Sequence, residues 1–307
     1  MLLRRPILAA SRSGRLRHVI ETAPVSRSVV KRFVAGATVE DAVRATRALV
    51  EDGLHVSLDH LGEDTTEAAQ AASTMKAYLL LLDRLAESDL TPAAEVSVKL
   101  SAVGQALDES MALDHAREIC DAASHAGTTV TIDMEDHTTT DSTLRIVEAL
   151  RADFPWTGAV LQSYLHRTED DCSALATPGS RVRLCKGAYQ EPESVAYQST
   201  GEVDRSYIRC MQALFDGAGY PMLATHDPRL IEIGETMAVR SGKRKGDYEF
   251  QMLYGIRPDE QRRLAASGEK VRVYLPYGDE WYGYLMRRMA ERPANLSFFL
   301  RALMSKG

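Results

Sequence analysis

Short runs of apolar and β-branched residues alternate along the chain with longer amphipathic stretches. The short runs predict eight strands, at His55–Asp59, Glu95–Leu100, Thr129–Met134, Ala159–Tyr164, Val182–Gly187, Pro221–His226, Tyr248–Leu253 and Lys270–Leu275. The stretches of helical period between them include Thr66–Ala86, Leu113–Ala126, Ser142–Asp153 and Ser206–Gly217. Repetition of strand and helix in this order favours a parallel α/β sheet, because parallel neighbours need a long crossover.

Eight such units in about 250 residues match the size of a (β/α)8 barrel. A doubly wound open sheet is the competing architecture, but no G-x-G-x-x-G fingerprint follows any predicted strand. We therefore predict a barrel over residues 33–307. Asp141 or Ser142 is expected to cap one helix, and Gly127 to close the helix before the third strand.

Composition narrows the class of protein. With 307 residues, of which 45% are hydrophobic, the chain can build one large core. No stretch approaches the roughly 18 consecutive apolar residues of a membrane span. The four cysteines form no CxxC pair, so neither a disulfide framework nor a zinc site is indicated, and a cytoplasmic location is expected. The net charge of −6 argues against nucleic acid as the main partner.

The first 32 residues form a basic segment of their own, with eight Lys and Arg residues against the single acid Glu21. A transit peptide and an anchor on anionic lipid at the inner face of the membrane are the functional interpretations. The simpler alternative is a solvated helix that packs Leu16, Val19 and Ile20 on the body. No small-residue cleavage site follows the charges, which favours this alternative and leaves peripheral membrane contact open.

Polar side chains collect where the predicted strands end. They are Lys99, Asp133 to Asp136, Gln162, Tyr164, Arg183, Lys186, Tyr189, Thr225 to Asp227, Gln251 and Tyr274. In a barrel these ends form one rim, which carries the active site. A hydrophobic interior has no use for so many polar groups, so a bound polar ligand is the economical explanation.

Each of these residues also has a structural interpretation. Lys99 could equally be a surface lysine whose aliphatic chain covers apolar neighbours. Arg183 and Asp133 could form a structural ion pair, an interpretation disfavoured because strand alternation points both inward from apolar strands. His226 alone is more often a satisfied histidine than a ligand.

The acidic run after the third strand raises the question of a metal site, since carboxylates suit hard cations. Strand alternation places Asp133 and Glu135 on one side and Asp136 on the other. No histidine cluster completes a divalent site, so no metal is expected.

The stretch Trp281–Pro293 predicts a helix after the eighth strand, ending before the proline. It carries Arg287 and Arg288, which point about 100° apart on a helix. The planar guanidinium matches a carboxylate bidentately, so the pair suits an anion clamp if the helix crosses a pocket mouth. The alternative is a solvated face on which Glu291 pairs with Arg287.

Five ordered motifs give the chain a family resemblance from about Phe33 onward. They are Ser97–Ser101 (SVKLS), Thr131–Asp136 (TIDMED), Arg183–Tyr189 (RLCKGAY), Ala224–Asp227 (ATHD) and Tyr284–Arg288 (YLMRR). This set resembles proline dehydrogenase in its monofunctional bacterial form. The resemblance implies a distorted (β/α)8 barrel with N-terminal helices and a C-terminal helix over its mouth. It also implies bound FAD, which takes a hydride from C5 of L-proline at N5, giving Δ1-pyrroline-5-carboxylate, and passes electrons to a quinone.

The same resemblance assigns roles to individual residues. Asp133 and Arg183 are the implied catalytic positions. The implied substrate contacts are Lys99, Tyr274, Arg287 and Arg288, with Tyr274 favouring proline over hydroxyproline. The implied cofactor contacts are Met134, Gln162, Lys186, Gly187, Ala188, Thr225 and His226.

Cys185 departs from the branched aliphatic residue usual in the family. Arg181, at the start of its strand, is expected to be solvated. The chain has no room for a fused aldehyde dehydrogenase, so a separate pyrroline-5-carboxylate dehydrogenase is expected downstream. Two rivals remain: a Schiff-base lyase that uses Lys99 or Lys186 as nucleophile, and a non-catalytic barrel tethered to the membrane.

Overall fold

The computed structural model describes residues 32–62, 65–282 and 284–285, and the structural statements below concern these residues. Arg287, Arg288 and Glu291 lie outside the described residues. So does the basic segment that precedes Arg32. The predictions made for these positions therefore stay predictions.

Eight parallel strands close into a barrel, and they follow one another around it in chain order. They are β1 (His55–His60), β2 (Ala94–Val98), β3 (Val130–Ile132), β4 (Gly158–Gln162), β5 (Arg181–Cys185), β6 (Tyr220–Ala224), β7 (Glu249–Leu253) and β8 (Val271–Tyr277). The closing pair, β1 with β8, runs from His55 opposite Arg272 to His60 opposite Tyr277. The predicted barrel is confirmed, including its first and most polar strand.

Eight α-helices of the described residues surround the strands. They are α1 (Val39–Glu51), α2 (Ala68–Glu87), α3 (Glu109–His125), α4 (Thr140–Asp153), α5 (Thr168–Leu175), α6 (Thr200–Asp216), α7 (Pro228–Arg240) and α8 (Pro258–Ala266). Helix α1 precedes β1, and each of the others connects two successive strands. Two short 3-10 turns, Ser101–Val103 and His137–Thr139, follow β2 and β3.

The helix boundaries confirm one predicted cap and correct another. Gly127 follows the last residue of α3 with a φ of +68°, a conformation that suits glycine. The expectation of Asp141 or Ser142 as an N-cap is wrong, because α4 already begins at Thr140. The chain turns earlier, where Asp136 accepts a hydrogen bond from the backbone N–H of Thr138 and starts a 3-10 turn that runs into α4.

The apolar core lies between the strands and the helices. On β2, for example, Ala94, Val96 and Val98 are fully buried against this layer, and Leu82 of α2 belongs to the same cluster. Burial of one such aliphatic side chain contributes about 1.5–3 kcal/mol. Because side chains alternate along a strand, the residues between them point into the barrel. On β2 these are Glu95 and Ser97, so the barrel interior is polar.

Candidate active site

The lower part of the barrel interior, near the N-terminal ends of the strands, holds a buried ionic layer. Glu95 of β2 accepts a hydrogen bond from Nη2 of Arg181 at 2.6 Å, and Nε of Arg272 lies 3.7 Å from the Glu95 carboxylate. Arg272 also donates to Glu249 of β7 at 2.7 Å. Burial alone would raise the pKa of Glu95, but Arg181 and Arg272 outweigh it and hold that pKa far below its usual range. Both glutamates are therefore anions.

Arg181 corrects a prediction made from the sequence. It was expected to be solvated, but its side chain is only 12% exposed and is ion-paired with Glu95. The reason is the period of the strand: Arg181 lies two residues before Arg183 and so points to the same side, into the barrel.

The upper part of the interior, at the C-terminal rim, is organised around Arg183 of β5 and Asp133, the residue after β3. Nη1 of Arg183 donates to Oδ1 of Asp133 at 2.7 Å and to Oγ of Ser97 at 2.8 Å. Nε donates to Oε1 of Gln251 at 2.5 Å, and Nη2 donates to Oγ of Ser57 at 3.1 Å. Four of the five N–H groups of this guanidinium thus have protein partners.

Arg183 and Asp133 therefore form the ion pair that alternation had seemed to disfavour. Both point inward, and that shared direction is what brings them together. Burial would lower the pKa of Arg183, but Asp133 and Glu95 outweigh it and raise the pKa. Arg183 is a permanently charged group held in one orientation by residues of β1, β2 and β7 and by Asp133 after β3.

Gln251 connects the two layers. Its Oε1 accepts from Arg183, while its Nε2 donates to Oε1 of Glu249 at 2.6 Å. The amide can satisfy both neighbours in only one orientation, with the oxygen toward the cation and the nitrogen toward the anion. The position of Arg183 is therefore tied to the ionic layer beneath it.

Lys99 follows β2 and contacts three groups at the rim. Its Nζ donates to Oδ2 of Asp59 at 2.6 Å and to Oη of Tyr274 at 3.2 Å, and it lies 3.7 Å from Oδ2 of Asp133. Lys99 is only 8% exposed. The interpretation as a surface lysine is therefore wrong, and Lys99 belongs to the same cluster as Asp133.

Tyr274 of β8 bridges the cluster. Its hydroxyl donates to Oδ2 of Asp133 at 2.7 Å, and its ring lies 5.4 Å from the guanidinium carbon of Arg183. Burial, together with Asp133 and Asp59, raises the pKa of Tyr274 well above its usual range. The phenol stays protonated and remains a donor to Asp133.

Asp59 of β1 completes the cluster. It is 1% exposed, and burial raises its pKa to about 6 although Lys99 acts in the opposite direction. From the sequence, Asp59 was only the last residue of the first predicted strand, and Ser97 only the first residue of the SVKLS motif. The signal that could have found both is their alternation with buried aliphatic residues, which places them inside the barrel.

A second part of the rim follows β5. Gly187 has a φ of +108°, and a Cβ added there would lie 2.4 Å from Cδ1 of Tyr164. The backbone N–H of Tyr164 donates to the carbonyl of Lys186 at 3.0 Å, so the connections after β4 and β5 stay paired beyond the strands. The chain at Gly187 is thus packed directly against an aromatic ring, a position that only glycine fits.

Lys186 reaches sideways along the rim. Its Nζ donates to Asp204 of α6 at 2.6 Å and to Asp227, the N-cap of α7, at 3.3 Å. The Lys186 side chain keeps 32% of its surface exposed, and Ala188 and Tyr189 are half-buried. This stretch is partly accessible to solvent, and Gln190 after it is exposed.

The remaining predicted cofactor contacts also lie at this rim. Gln162 ends β4 and donates through Nε2 to the carbonyl of Glu135 at 2.6 Å, and Met134 is 7% exposed. Thr225 and His226 follow β6. Nε2 of His226 accepts a hydrogen bond from the backbone N–H of Leu253 at 2.8 Å, so this ring nitrogen has a structural role.

The acidic run after β3 is divided among different partners. Glu135 accepts from the backbone N–H and the hydroxyl of Ser101, at 3.0 and 2.6 Å, whereas Asp133 turns to Arg183. Strand alternation does not extend to these residues because β3 ends at Ile132. Among the residues that the structure describes, no three His, Cys, Asp or Glu side chains are grouped to hold a metal ion.

A closed parallel barrel whose C-terminal rim gathers two cations, two carboxylates and a tyrosine has the architecture of a (β/α)8 enzyme. Comparison with known proteins identifies the family. A sequence model described as Proline dehydrogenase matches residues 42–301. Proline dehydrogenase of Deinococcus radiodurans is 40% identical over 282 residues, which cover 90% of each chain. Proline dehydrogenase 1 of Bacillus subtilis (strain 168) is 36% identical over 281 residues, 92% of each chain. The chain belongs to the proline dehydrogenase family.

A solved structure shows the same fold. Proline utilization A from Bdellovibrio bacteriovorus, inactivated by N-propargylglycine, superposes with a TM-score of 0.81 at 22% sequence identity. The match covers 94% of this chain and 36% of that one. Family membership makes this protein a proline dehydrogenase, an oxidoreductase of proline catabolism that acts on proline. It also implies a flavin cofactor. No helix among the described residues is long and apolar enough to span a membrane.

Proposed function

We propose that this enzyme uses FAD to oxidise L-proline to Δ1-pyrroline-5-carboxylate and passes the electrons to a quinone. The observation that carries the proposal is the rim cluster of Lys99, Asp133, Arg183 and Tyr274, which adjoins the accessible loop after β5 in a barrel of the proline dehydrogenase family. Bound FAD supplies the redox chemistry, since its N5 can accept a hydride from proline C5. The protein has to position the two reactants and control charge.

The residues at the rim fit a flavin dinucleotide. Gly187 lets the loop pack directly against the Tyr164 ring, and the family resemblance implies that the backbone of this loop lines the cofactor. The Lys186 side chain is 32% exposed, and the family resemblance implies that it contacts the cofactor, with Asp204 and Asp227 sharing its charge. Gln162 offers an amide and Met134 an apolar surface for the ring, while Ala188, Thr225 and His226 extend the contact along the rim, as the family resemblance implies.

Arg183 is the cation we assign to the reactive face of the cofactor. Because four hydrogen bonds fix its guanidinium, it needs no reorganisation when negative charge develops near it. Its charge is shared with Asp133 at 2.7 Å, so the field it exerts is that of an oriented ion pair rather than of a lone cation. Asp133 acts in turn by holding both Arg183 and Tyr274.

The substrate carboxylate needs more positive charge than the described cluster supplies. Lys99 and Arg183 are balanced by the carboxylates of Asp59 and Asp133. A carboxylate that enters a dry, neutral site must bring or meet a further cation. This deficit supports the prediction that Arg287 and Arg288 clamp the proline carboxylate, with Lys99 as an additional contact. Tyr274 packs beside the ring and favours proline over hydroxyproline.

The contacts of the two lysines argue against a Schiff-base lyase. A nucleophilic lysine has to be neutral. Lys99 is bonded to Asp59 at 2.6 Å, and Lys186 is bonded to Asp204 at 2.6 Å. Both amino groups are therefore held in ion pairs rather than free to attack a carbonyl carbon. We further propose a cytoplasmic enzyme, in peripheral contact with the membrane for quinone access, whose product passes to a separate pyrroline-5-carboxylate dehydrogenase.

The test is the visible absorption of the purified protein under anaerobic conditions. We expect a flavin spectrum, release of FAD on denaturation, and loss of the absorption on addition of L-proline. A colourless protein that cannot be reconstituted with FAD would refute the proposal. Covalent trapping by borohydride with a carbonyl substrate would instead support the lyase.

The carboxylate clamp has its own test. Arg288→Ala should raise KM for proline by about tenfold or more while leaving bound FAD unchanged, because loss of a charge-assisted bidentate contact costs about 1.5–3 kcal/mol. Arg292→Ala is the matched control, since it removes an arginine of the same sequence stretch that has no assigned role. Loss of flavin from the Arg288 variant would contradict the assignment, because it would show that the arginine pair binds the cofactor rather than the proline carboxylate.

A further inference from the structure

Lys99 lies between two carboxylates that differ in how well they are satisfied. The donors to Asp133 are Ser97, Arg183 and Tyr274, each at 2.7 Å. On Asp59, Nζ of Lys99 donates to Oδ2 at 2.6 Å, the Tyr274 hydroxyl that donates to Asp133 also lies within reach, and the buried Oδ1 has no hydrogen-bond partner among the described residues. The two acids, so close in space, are therefore suited to different tasks.

Both carboxylate oxygens of Asp133 accept hydrogen bonds, two on Oδ1 and one on Oδ2. Asp59 is the reverse case. It is fully buried, and a carboxylate with an unpartnered oxygen in a dry site is easily converted to the neutral acid. Burial raises the pKa of Asp59 to about 6, with Asp133 contributing in the same direction and Lys99 opposing. Asp59 is thus an anion near neutral pH that accepts a proton at little cost.

The groups that face Asp59 come from each element packed around it. They are Lys99 after β2, Asp133 after β3, Tyr274 and Tyr277 on β8 and Tyr78 on α2. Within the described part of the chain, Lys99 is the one cation at salt-bridge distance from Asp59. A proton that moves from the substrate to Asp59 can pass through the 2.6 Å contact between Nζ of Lys99 and Oδ2 of Asp59.

We infer that Asp59 receives the amine proton that the substrate loses, and that Lys99 passes this proton on. The inference rests on the proposed function. Proline is an ammonium ion near neutral pH, and its nitrogen needs a free electron pair to assist the departure of hydride from C5. The ammonium gives a proton to Nζ of Lys99 as Lys99 gives one of its own protons to Oδ2 of Asp59 across 2.6 Å.

The step balances in atoms and charge. One proton leaves the substrate nitrogen and one proton arrives on Asp59, which becomes a neutral carboxylic acid, while Lys99 remains an ammonium. The nitrogen lone pair then forms the C=N bond as the C5 hydride leaves with its electron pair to the cofactor. Asp59 touches no reacting atom in this scheme and acts through Lys99. After turnover the proton returns to solvent.

The experiment uses the full-length holoenzyme. The rate of flavin bleaching by L-proline is followed by anaerobic stopped flow from about pH 5 to pH 9. We expect the wild-type rate to fall on the acid side of an inflection near pH 6. Asp59→Asn should lose that inflection and be slowed by about 100-fold near neutral pH, the usual size of a general-base contribution. The loss should shrink as the pH approaches the range in which free proline sheds its own amine proton.

Tyr277→Phe is the matched control. It removes a buried hydroxyl that faces Asp59 and has no partner in the described structure, and it leaves the carboxylate in place. This variant should keep the wild-type pH profile. An Asp59→Asn enzyme with the wild-type profile, or with a loss of equal size at every pH, would overturn the inference, because a structural role has no reason to follow proton availability.

A measurement on the unaltered enzyme covers the case in which Asp59→Asn fails to fold. Infrared difference spectra of the wild-type enzyme, recorded as proline reduces the flavin, should show the carbonyl band of a newly protonated carboxylic acid that shifts in deuterated water. Its absence would overturn the inference while flavin bleaching still supports the proposed function. Failure of proline to bleach the wild-type flavin at any pH would sink the proposed function itself.

Discussion

Replacing Glu95 with Gln should destabilise the barrel strongly while changing catalysis little. The substitution keeps the volume of the side chain and removes the charge that three arginines share. Nη2 of Arg181 lies 2.6 Å from the carboxylate, Nε of Arg272 3.7 Å and Nη2 of Arg183 3.8 Å. Glu95 is fully buried, so solvent cannot replace the lost charge.

The expected loss can be estimated from these contacts. Removal of one partner from a buried ion pair typically costs about 3–5 kcal/mol. Arg272 keeps Glu249, Arg183 keeps Asp133, and Arg181 is near enough to the surface to recover some hydration, which places the loss near the lower end, at about 3 kcal/mol. For a chain of 307 residues the melting temperature should fall by about 5 °C.

The assay is urea unfolding of wild type, Glu95→Gln, Arg181→Met and the double variant, with flavin bleaching by proline measured in parallel. The two single losses should not add, because each variant breaks the same contact. Since four other hydrogen bonds hold Arg183, kcat/KM for proline should fall by less than about tenfold. Glu109→Gln is the control, because its pair with Arg145 is exposed and its loss should leave stability almost unchanged.

A change of less than about 1 kcal/mol in Glu95→Gln would refute the claim that the interior ionic layer supports the barrel. Strictly additive losses in the double variant would refute the pairing of Glu95 with Arg181. A collapse of kcat/KM without loss of stability would show that Glu95 acts on the reaction rather than on the fold.

Two further predictions follow from local geometry and burial. Gly187→Ala should lose bound flavin, because the added Cβ would lie 2.4 Å from the Tyr164 ring. Gly104→Ala is the control: Gly104 has the similar φ of +109°, but its added Cβ would meet the flexible end of a methionine, so this variant should keep its flavin. Equal flavin contents in the two variants would contradict the prediction. Burial lowers the pKa of His55 to about 4, so its contribution to stability is complete above about pH 6.5 and is lost as the pH falls toward 4. The pKa of Asp59 is raised to about 6, so its contribution to the free energy of unfolding is greatest below about pH 4. Up to about 3 kcal/mol of that contribution is lost as the pH rises through 6. The two effects oppose each other in the wild type. In Asp59→Asn, the urea midpoint should therefore rise more steeply with pH between pH 4 and 6.5 than it does in the wild type. Parallel curves of urea midpoint against pH would contradict the raised pKa of Asp59.

The barrel could be predicted from the sequence because its outward-facing residues form regular apolar runs. Val96 and Val98, or Val182 and Leu184, mark a strand whatever lies between them. The residues at the strand ends follow from topology, since parallel strands of a barrel bring their C-terminal ends to one rim. The resemblance in the five motifs then supplied roles that spacing alone cannot assign.

The pairing inside the barrel could not be predicted in the same way. Alternation shows that Glu95 and Arg181 point inward, but the choice of partner depends on the stagger between strands that are far apart in sequence. Glu95 and Arg181 are separated by 86 residues, and Arg183 and Ser57 by 126. From the sequence, Arg181 was therefore expected to be solvated and Arg183 and Lys99 to contact a ligand, whereas all three pair with carboxylates inside the barrel.

The most direct test of the central claim is a deuterium isotope effect on flavin bleaching in a single anaerobic turnover. The account places the cleaved bond at C5 of proline, so deuterium at C5 should slow bleaching several-fold while deuterium at Cα leaves the rate unchanged. Sensitivity to deuterium at Cα instead of C5 would contradict it, because the electrons would then leave the substrate from a different carbon.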